Sequence, residues 1–308
     1  MSDRIVAQSQ AAITQGSKSF AAAARLFDRQ TREDAVMLYA WCRHCDDVID
    51  GQTLGHGQKA TFRAGQRARL DDLRKKTAGV LSGARLADPE FEAIRRVVHK
   101  HQIPVRHLEE LLDGFAMDVD ERRYATLNDT LEYCYGVAGV VGVMMSMIMG
   151  ARDSAVLDRA ADLGLAFQLT NIARDVIEDA RVGRVYVPDE ILARHGIGVV
   201  DADDLSQRPA LHAAAVDLLD VAERYYDSSK AGIAVLPLRS AWAIAAARRV
   251  YRDIGAKLRK RGPAAWEKRV STGKLRKMYL LALSLADVVV YRVISPEQSR
   301  QGLWQRPS

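Results

Sequence analysis

The segment that decides the fold is Gln168-Leu-Thr-Asn-Ile-Ala-Arg-Asp-Val-Ile-Glu-Asp179. At about 100° per residue its three acids and two amides share an arc of about 100°, and apolar residues fill most of the rest. The members of that arc are Gln168, Asn171, Asp175, Glu178 and Asp179. With one arginine, Arg174, nearby, the segment predicts a helix whose acidic face is not fully neutralised.

A second acidic group occurs upstream, at Asp46-Asp-Val-Ile-Asp50. On a helix Asp46 and Asp50 lie about 40° apart and repel each other. They also precede Gly51, and the end of a helix disfavours anions. A bound cation would reverse both effects. We therefore expect Asp50→Asn and Asp175→Asn to leave stability unchanged or slightly higher.

Both acidic groups offer oxygen ligands near helix ends. Such ligands suit Mg²⁺ or Mn²⁺ rather than zinc, and Mg²⁺ is typically held by one or two carboxylates together with substrate phosphates. Two sparse carboxylate sites facing each other could therefore hold a diphosphate through bridging metals. The alternative is two ordinary solvated helix faces, but the recurrence of acid pairs at helix ends favours a metal site.

Helical spacing extends over nearly the whole chain of 308 residues, of which 48% are hydrophobic. We predict one all-α domain over residues 1–308, with a core at 10–294 and a loose polar tail at 295–308. A capping box at Thr31 and Asp34 predicts one helix start. The predicted helices are about 31–50, 57–82, 89–101, 104–119, 128–149, 154–182, 209–232, 237–260 and 270–294.

The composition narrows the class of protein. Three cysteines exclude a disulfide framework and favour a reducing cytosol. Cys42 and Cys45 form a Cys-x-x-Cys, but they lie near a helix end beside acids, which disfavours a redox thiolate. The net charge of +6 permits anionic partners without choosing among them.

The segment Tyr133–Ala151 is uncharged for 19 residues and is rich in glycine and methionine. A fully buried central helix is the favoured interpretation. A membrane span is less favoured, because the single marginal segment lacks basic flanks. The wall of an apolar cavity is the third interpretation, since methionines adapt to flexible ligands.

These motifs resemble those of the head-to-head prenyl synthases, the squalene and phytoene synthase family. The resemblance covers about residues 10 to 290. It is carried by the two acidic motifs and by five further segments: Ser17-Lys-Ser-Phe20, Tyr39-Ala-Trp-Cys-Arg43, Tyr133–Gly142, Gly183-Arg-Val-Tyr-Val-Pro188 and Ala247-Arg-Arg-Val-Tyr251. One departure is Gly16, where many relatives carry a histidine, so a phosphate contact there would fall to Ser17 or Ser19.

The resemblance implies a helical bundle of the isoprenoid (terpenoid) synthase type with a central apolar cavity. It implies condensation of two geranylgeranyl diphosphates through prephytoene diphosphate to phytoene, the first committed step of carotenoid biosynthesis. The implied metal ligands are Asp46, Asp50, Asn171, Asp175, Glu178 and Asp179. The implied substrate contacts are Ser17, Ser19, Arg43, Val137, Gly142, Gln168, Asn171, Arg174 and Tyr251. Arg43 and Tyr251 would also assist ionisation, and Tyr133 would steer proton loss.

The implied cofactor is Mg²⁺ or Mn²⁺, with no nicotinamide cofactor. We expect a cytoplasmic enzyme, peripheral on the inner face of the membrane, that contacts other carotenoid pathway enzymes and binds no nucleic acid. Two alternatives stay open. One is a C30 synthase that uses farnesyl diphosphate, because the residues do not give the depth of the cavity. The other is a non-catalytic basic helical protein that binds lipid or nucleic acid.

Overall fold

The computed structural model describes residues 3–55, 57, 61–81, 87–294 and 299–307. These residues form thirteen α-helices and no β-strand, which confirms the predicted all-α class. The helices are α1 Arg4–Gly16, α2 Lys18–Ala24, α3 Arg29–Asp50, α4 Gln66–Leu81, α5 Pro89–His101, α6 Arg106–Val119, α7 Leu127–Cys134, α8 Val140–Ile148, α9 Ser154–Arg181, α10 Asp189–Arg194, α11 Arg208–Val235, α12 Leu238–Arg261 and α13 Lys274–Ile294.

A π-helical turn, Tyr135–Gly139, joins α7 and α8 into one mostly buried helix over Leu127–Ile148. This helix packs against α6 and α9, so the favoured interpretation of a central core helix is confirmed. Glycine lets it approach α9 closely. A Cβ on Gly164 would lie 2.4 Å from the carbonyl oxygen of Ala138, and one on Gly142 would lie 2.4 Å from that of Ala160.

Several helix starts differ from the prediction. Helix α3 begins after Asp28, whose carboxylate accepts the Thr31 N–H at 3.0 Å. Asp34 is instead buried against Lys100 and His101, so the capping box at Thr31 and Asp34 is wrong. Helix α4 starts at Gln66 rather than 57, and residues 58–60 lie outside the described part. Helical spacing predicted none of the three helices α1, α2 and α10.

The C-terminal segment 299–307, predicted to be loose, packs against the core. Arg300 donates two hydrogen bonds of 2.9 Å to Asp162 of α9. The Trp304 ring lies 5.1 Å from that of Tyr135, and its backbone N–H donates to the Tyr225 hydroxyl. A buried carboxylate thus holds this segment in place. Residues 295–298 and 308 of the predicted tail lie outside the described residues.

Candidate active site

The first acidic group lies in the last two turns of α3. Arg43 donates to Asp46 at 2.5 Å. Burial raises the pKa of Asp46 to about 7, opposed by Arg43 and reinforced by Asp50. Asp47 stabilises the turn after α3 instead. Its carboxylate accepts hydrogen bonds from the backbone N–H groups of Leu54 and Gly55 at 2.6 and 2.8 Å. Asp46 and Asp50 therefore remain as the candidate ligands on α3.

The second acidic group lies near the end of α9. Asp175 accepts from Arg174 at 2.8 and 2.5 Å and from Arg269 at 3.0 Å. Arg269 also donates to the half-exposed Glu178 at 2.5 Å. Burial and the neighbouring Asp175 raise the pKa of Asp179 well above its ordinary value.

The two groups meet around an arginine and a third carboxylate that the sequence did not reveal. Arg184, just after α9, donates to Asp50 at 2.6 and 3.1 Å and lies 3.9 Å from Asp118 of α6. Burial raises the pKa of Asp118 to about 6. Asp118 also adds to the negative potential at Asp46 and Asp179. Carboxylates from α3, α6 and α9 thus converge at Arg184.

The expectation that the acidic groups lack compensation was wrong for Asp50, Asp175 and Glu178. Their partners, Arg184 and Arg269, come from segments far along the chain. Helical spacing relates only residues of the same helix, so it could not identify these two arginines as partners. The signal that could have found Asp118 is the same one that marked the other two groups, since it is an acid in the last turn of a helix.

Tyr133 lies against the convergent carboxylates. Its hydroxyl donates to Asp118 at 3.2 Å, and the hydroxyl of Tyr186 donates to the same carboxylate at 2.7 Å. The two rings stack with centroids 4.6 Å apart. Burial and Asp118 raise the pKa of Tyr133 well above its ordinary value. The phenol is therefore neutral and held in one orientation by Asp118.

Two buried polar atoms of the site have no partner in the described part of the chain. They are the side-chain oxygen of Asn171 and Nε of Arg43. The Asn171 amide nitrogen donates a hydrogen bond to the side-chain oxygen of Gln168 at 3.2 Å. The side-chain oxygen of Asn171 is therefore available to coordinate a cation. Buried polar groups rarely lack a partner in folded proteins. A free amide oxygen suits a hard metal ion, and a free guanidinium N–H suits a phosphate oxygen.

The carboxylates and the Asn171 oxygen fit divalent metal ions in their chemistry. Among the described residues, however, no three histidine, cysteine, aspartate or glutamate side chains form a compact, preformed metal site. Arginines stand between the acids instead. Metal ions would therefore need the oxygens of a bound diphosphate to complete their coordination, as Mg²⁺ commonly does.

An aromatic cluster adjoins the arginines of the site. The Tyr251 ring lies 4.2 Å from that of Phe167 and 5.7 Å from that of Phe20. Burial raises the pKa of Tyr251, and the nearby charges of Arg174 and Arg43 oppose that rise. Tyr251 is thus placed beside both predicted diphosphate-binding arginines, with apolar rings behind it.

The two predicted serines already have protein partners. Ser17 caps α2 by accepting the Phe20 N–H at 3.3 Å, and Ser19 accepts from Lys277 of α13 at 2.8 Å. At the departure from the family pattern, a Cβ on Gly16 would lie 2.5 Å from the Tyr39 hydroxyl. A side chain at position 16 would therefore require Tyr39 to move.

The remaining predicted substrate contacts, Val137 and Gly142, lie along the central helix. Val137 is part of the π-helical turn and is half-buried, while Gly142 faces the Ala160 backbone. Gly142 thus has a packing role, and its contact with substrate stays a prediction.

The Cys-x-x-Cys in α3 consists of Cys42, which is half-buried, and Cys45, which is buried. Burial raises the pKa of Cys42 to about 12 and that of Cys45 well above its ordinary value. Both thiols are therefore protonated at neutral pH and unsuited to redox chemistry.

The chain matches the squalene/phytoene synthase family over residues 13–276. It is 53% identical over 307 residues to a 15-cis-phytoene synthase of Paracoccus sp. (strain N81106 / MBIC 01143), covering 100% of this chain and 99% of the relative. The chain belongs to the squalene/phytoene synthase family. A phytoene synthase of Pseudescherichia vulneris is 50% identical over 292 residues, covering 95% of this chain and 94% of the relative.

The likeness extends to a solved structure. A dehydrosqualene synthase in complex with a ligand superposes with a TM-score of 0.81 at 28% identity, covering 94% of this chain and 98% of that one. The predicted isoprenoid synthase fold is confirmed by this match. Members of this family use prenyl diphosphates and generally depend on divalent metals.

Proposed function

We propose that this chain is a prenyltransferase that condenses two geranylgeranyl diphosphates head to head into phytoene. The first diphosphate leaves one substrate with the electrons of the broken C–O bond, and the double bond of the other substrate donates its electrons to the resulting allylic cation to form the new C–C bond. Loss of a proton then gives the cyclopropane of prephytoene diphosphate. The second diphosphate leaves, the skeleton rearranges, and loss of another proton gives phytoene. The observation that carries the proposal is full-length identity near 50% to phytoene synthases.

The site supplies groups for the departing diphosphates. Arg43 and Arg174 present guanidinium groups beside Tyr251, and such charges stabilise a leaving phosphate group. We propose that Asp46, Asp50, Asn171, Asp175 and Asp179 hold Mg²⁺ or Mn²⁺, with Glu178 at the edge. Metal ions bound there would neutralise the charge of the leaving diphosphate.

The cationic steps need a dry site and a directed loss of protons. Rings of Phe20, Phe167 and Tyr251 provide an apolar wall, and we propose that it keeps water from the cation. Tyr133 is neutral, and Asp118 fixes the direction of its hydroxyl. We propose that this oxygen lies beside the intermediate and orients proton loss, while the proton leaves on the released diphosphate.

A C30 reaction with farnesyl diphosphate is the second candidate. The likeness of the fold to a dehydrosqualene synthase supports it, but identity to that protein is 28%, far below the identity to the phytoene synthases. We therefore favour the C20 substrate. Cytoplasmic location and contact with other carotenoid pathway enzymes stay predictions.

The test is to incubate the purified chain and Mg²⁺ with either geranylgeranyl or farnesyl diphosphate and analyse the lipid extract. We expect a C40 hydrocarbon from the first substrate and its loss in EDTA. A C30 product alone would establish the alternative. No hydrocarbon from either substrate, at full Mg²⁺, would overturn the proposal.

Variants of the acidic groups test the site itself. Asp50→Asn and Asp175→Asn should each lower kcat by at least about 100-fold, because each removes charge that holds the metal. Asp220→Asn is the matched control, since Asp220 forms an exposed pair with Arg259. Melting temperatures measured alongside separate lost chemistry from lost fold. Full activity in both site variants would remove these carboxylates from the mechanism.

A further inference from the structure

Exposed apolar residues are concentrated on the outer face of α13. Among the described residues, this helix contributes eight of the thirteen large hydrophobic side chains that are exposed. They are Leu275, Met278, Tyr279, Leu285, Val289, Val290, Val293 and Ile294. Val235 at the end of α11 and Leu238 at the start of α12, which flank the connection between these helices, are also exposed. Arg292 of α13 donates to the Leu236 carbonyl at 2.5 Å, which places this connection at the end of the same strip.

The strip is not the side by which α13 joins the protein. The buried side carries Leu280, Ser284, Val288 and Tyr291, and it packs against α11 and α12. On a helical projection no charged residue lies within about 60° of the line from Leu275 to Val293. The 19 residues from Leu275 to Val293 extend for about 28 Å at 1.5 Å each. One face of the helix is therefore a continuous apolar surface with no partner in the described chain.

Basic residues stand at both ends of the strip. Lys274 and Arg276 are exposed at its start, and Arg292 is exposed at its end. Arg276 also donates to the buried Asp253 at 2.9 Å, so Lys274 is the main uncompensated charge at the start of the strip. The acidic residue of α13, Asp287, is paired with Arg249 of α12 and is mostly buried. An apolar strip between basic ends matches the headgroup and acyl boundary of an anionic membrane.

We propose that the outer face of α13 docks this enzyme on an anionic lipid surface, with the helix lying in the plane of the membrane. A second copy of the chain is a poorer partner. Pairing two such faces in antiparallel fashion would place Lys274 and Arg276 against Arg292 of the other copy, and like charges repel. Anionic headgroups would instead satisfy both ends.

The opposite side of α13 is connected to the active site through a hydrogen bond. Lys277 in the first turn of α13 donates to Ser19 of α2 at 2.8 Å. The next residue of α2, Phe20, lies in the aromatic wall beside Tyr251. If the proposed function holds, on which this step alone rests, docking brings that wall close to the lipid in which C20 chains and a C40 product dissolve.

The test is cosedimentation with vesicles of phosphatidylcholine, with and without phosphatidylglycerol, in the absence of substrate. We expect binding to the anionic vesicles that weakens with salt. Leu285→Glu with Val289→Glu should reduce binding at least tenfold, because two charges enter the apolar face. Lys274→Glu should reduce it about fivefold or more. The matched control is Val199→Glu with Leu205→Glu, two exposed apolar residues elsewhere, which should bind like the unmodified protein.

Three results would overturn the docking proposal. They are absence of binding by the unmodified protein, unchanged binding by the Leu285/Val289 variant, and a dimer in light scattering that this variant dissociates. The binding assay contains no substrate, so a protein without the proposed activity would still dock. Failure of the docking proposal can therefore be told apart from failure of the proposed function. Activity of the Leu285/Val289 variant on detergent-dispersed substrate should be unchanged.

Discussion

At the scale of single residues, Asp118 joins the parts of the site. Its carboxylate accepts hydrogen bonds from the hydroxyls of Tyr133 and Tyr186. It also lies 3.9 Å from Arg184, which donates to Asp50. Removing water from a carboxylate disfavours its charged form, and burial is the largest cause of its raised pKa. The geometry of Tyr133 is thus maintained by a carboxylate that is itself destabilised by its surroundings.

This raised pKa predicts a pH dependence of stability. The pKa of Asp118 is about 6 in the folded protein against an ordinary 3.8. The folded state therefore binds the proton more tightly, and this contribution to stability is lost as the pH rises through 6. Between pH 5 and pH 8 the free energy of unfolding should fall by about 1 kcal/mol from Asp118 alone. Asp46, with a pKa of about 7, acts in the same direction.

Urea denaturation in EDTA at the two pH values measures this effect. Asp118→Asn should show a smaller fall than the unmodified protein. Glu92 affects stability in the opposite direction, because its hydrogen bond with Arg95 lowers its pKa to about 2. The stability that Glu92 contributes is present above pH 4.5 and lost below it, so it does not account for a fall between pH 5 and pH 8. An equal fall in both proteins would show that Asp118 does not titrate as described.

The residues of the site were predictable to the extent that their signal is local. Asp46, Asp50, Asp175 and Asp179 follow from helical spacing and from position near a helix end. Arg184 is 134 residues away from Asp50, and no period within one helix connects them. Partners brought together by tertiary packing cannot be derived from a single segment.

At the scale of helices, the close contact of α9 with the central helix depends on glycine. Gly164→Ala should destabilise the protein by roughly 1–3 kcal/mol, because the new methyl would meet backbone atoms of Ala138 and Gly139. The loss would run against helix propensity, in which alanine is better than glycine by about 1 kcal/mol. Denaturant unfolding measures the change.

Gly198→Ala is the matched control, since a Cβ there has nothing within 4 Å. It should change stability by less than about 0.5 kcal/mol. Equal stability of the Gly164 variant and this control would mean that the helices can separate without loss. Such a result would remove the steric reason for the glycine in α9.

The longest helices were predictable from periodicity, whereas α1, of 13 residues, and the two shortest helices were not. Helix α9 was expected at 154–182 and is Ser154–Arg181. The seven residues of α2 and the six of α10 are too few to show a period or to be stable alone. Their conformation depends on neighbours, such as the Lys277 contact that reaches Ser19 of α2.

At the scale of the whole molecule, the C-terminal segment neutralises a charge in the core. Asp162 is 1% exposed, and it accepts hydrogen bonds from Ser228 and, at 2.9 Å, from Arg300. Arg300→Ala should therefore destabilise the protein by roughly 3–5 kcal/mol, the usual effect of removing one partner of a buried salt bridge. Thermal and urea unfolding measure it. Adding Asp162→Asn should recover part of the loss, because the buried negative charge that Arg300 compensated is then removed.

Arg29→Ala supplies the comparison for an exposed pair. Arg29 is 81% exposed and bonds Glu33 one turn along its helix, so its loss should change stability by less than about 1 kcal/mol. If Arg300→Ala were no worse than Arg29→Ala, the segment 299–307 would not be part of the folded core.

The pairing of Asp162 with Arg300 also sets an order of events during synthesis. The two residues are 138 positions apart, and ribosomes add roughly 5–20 residues per second. On the order of ten seconds or more therefore pass between the appearance of one and of the other. During that interval the nascent helix carries an acid that its final partner cannot yet reach. A chaperone that shields this helix would act in that window, before the last turns of the chain emerge.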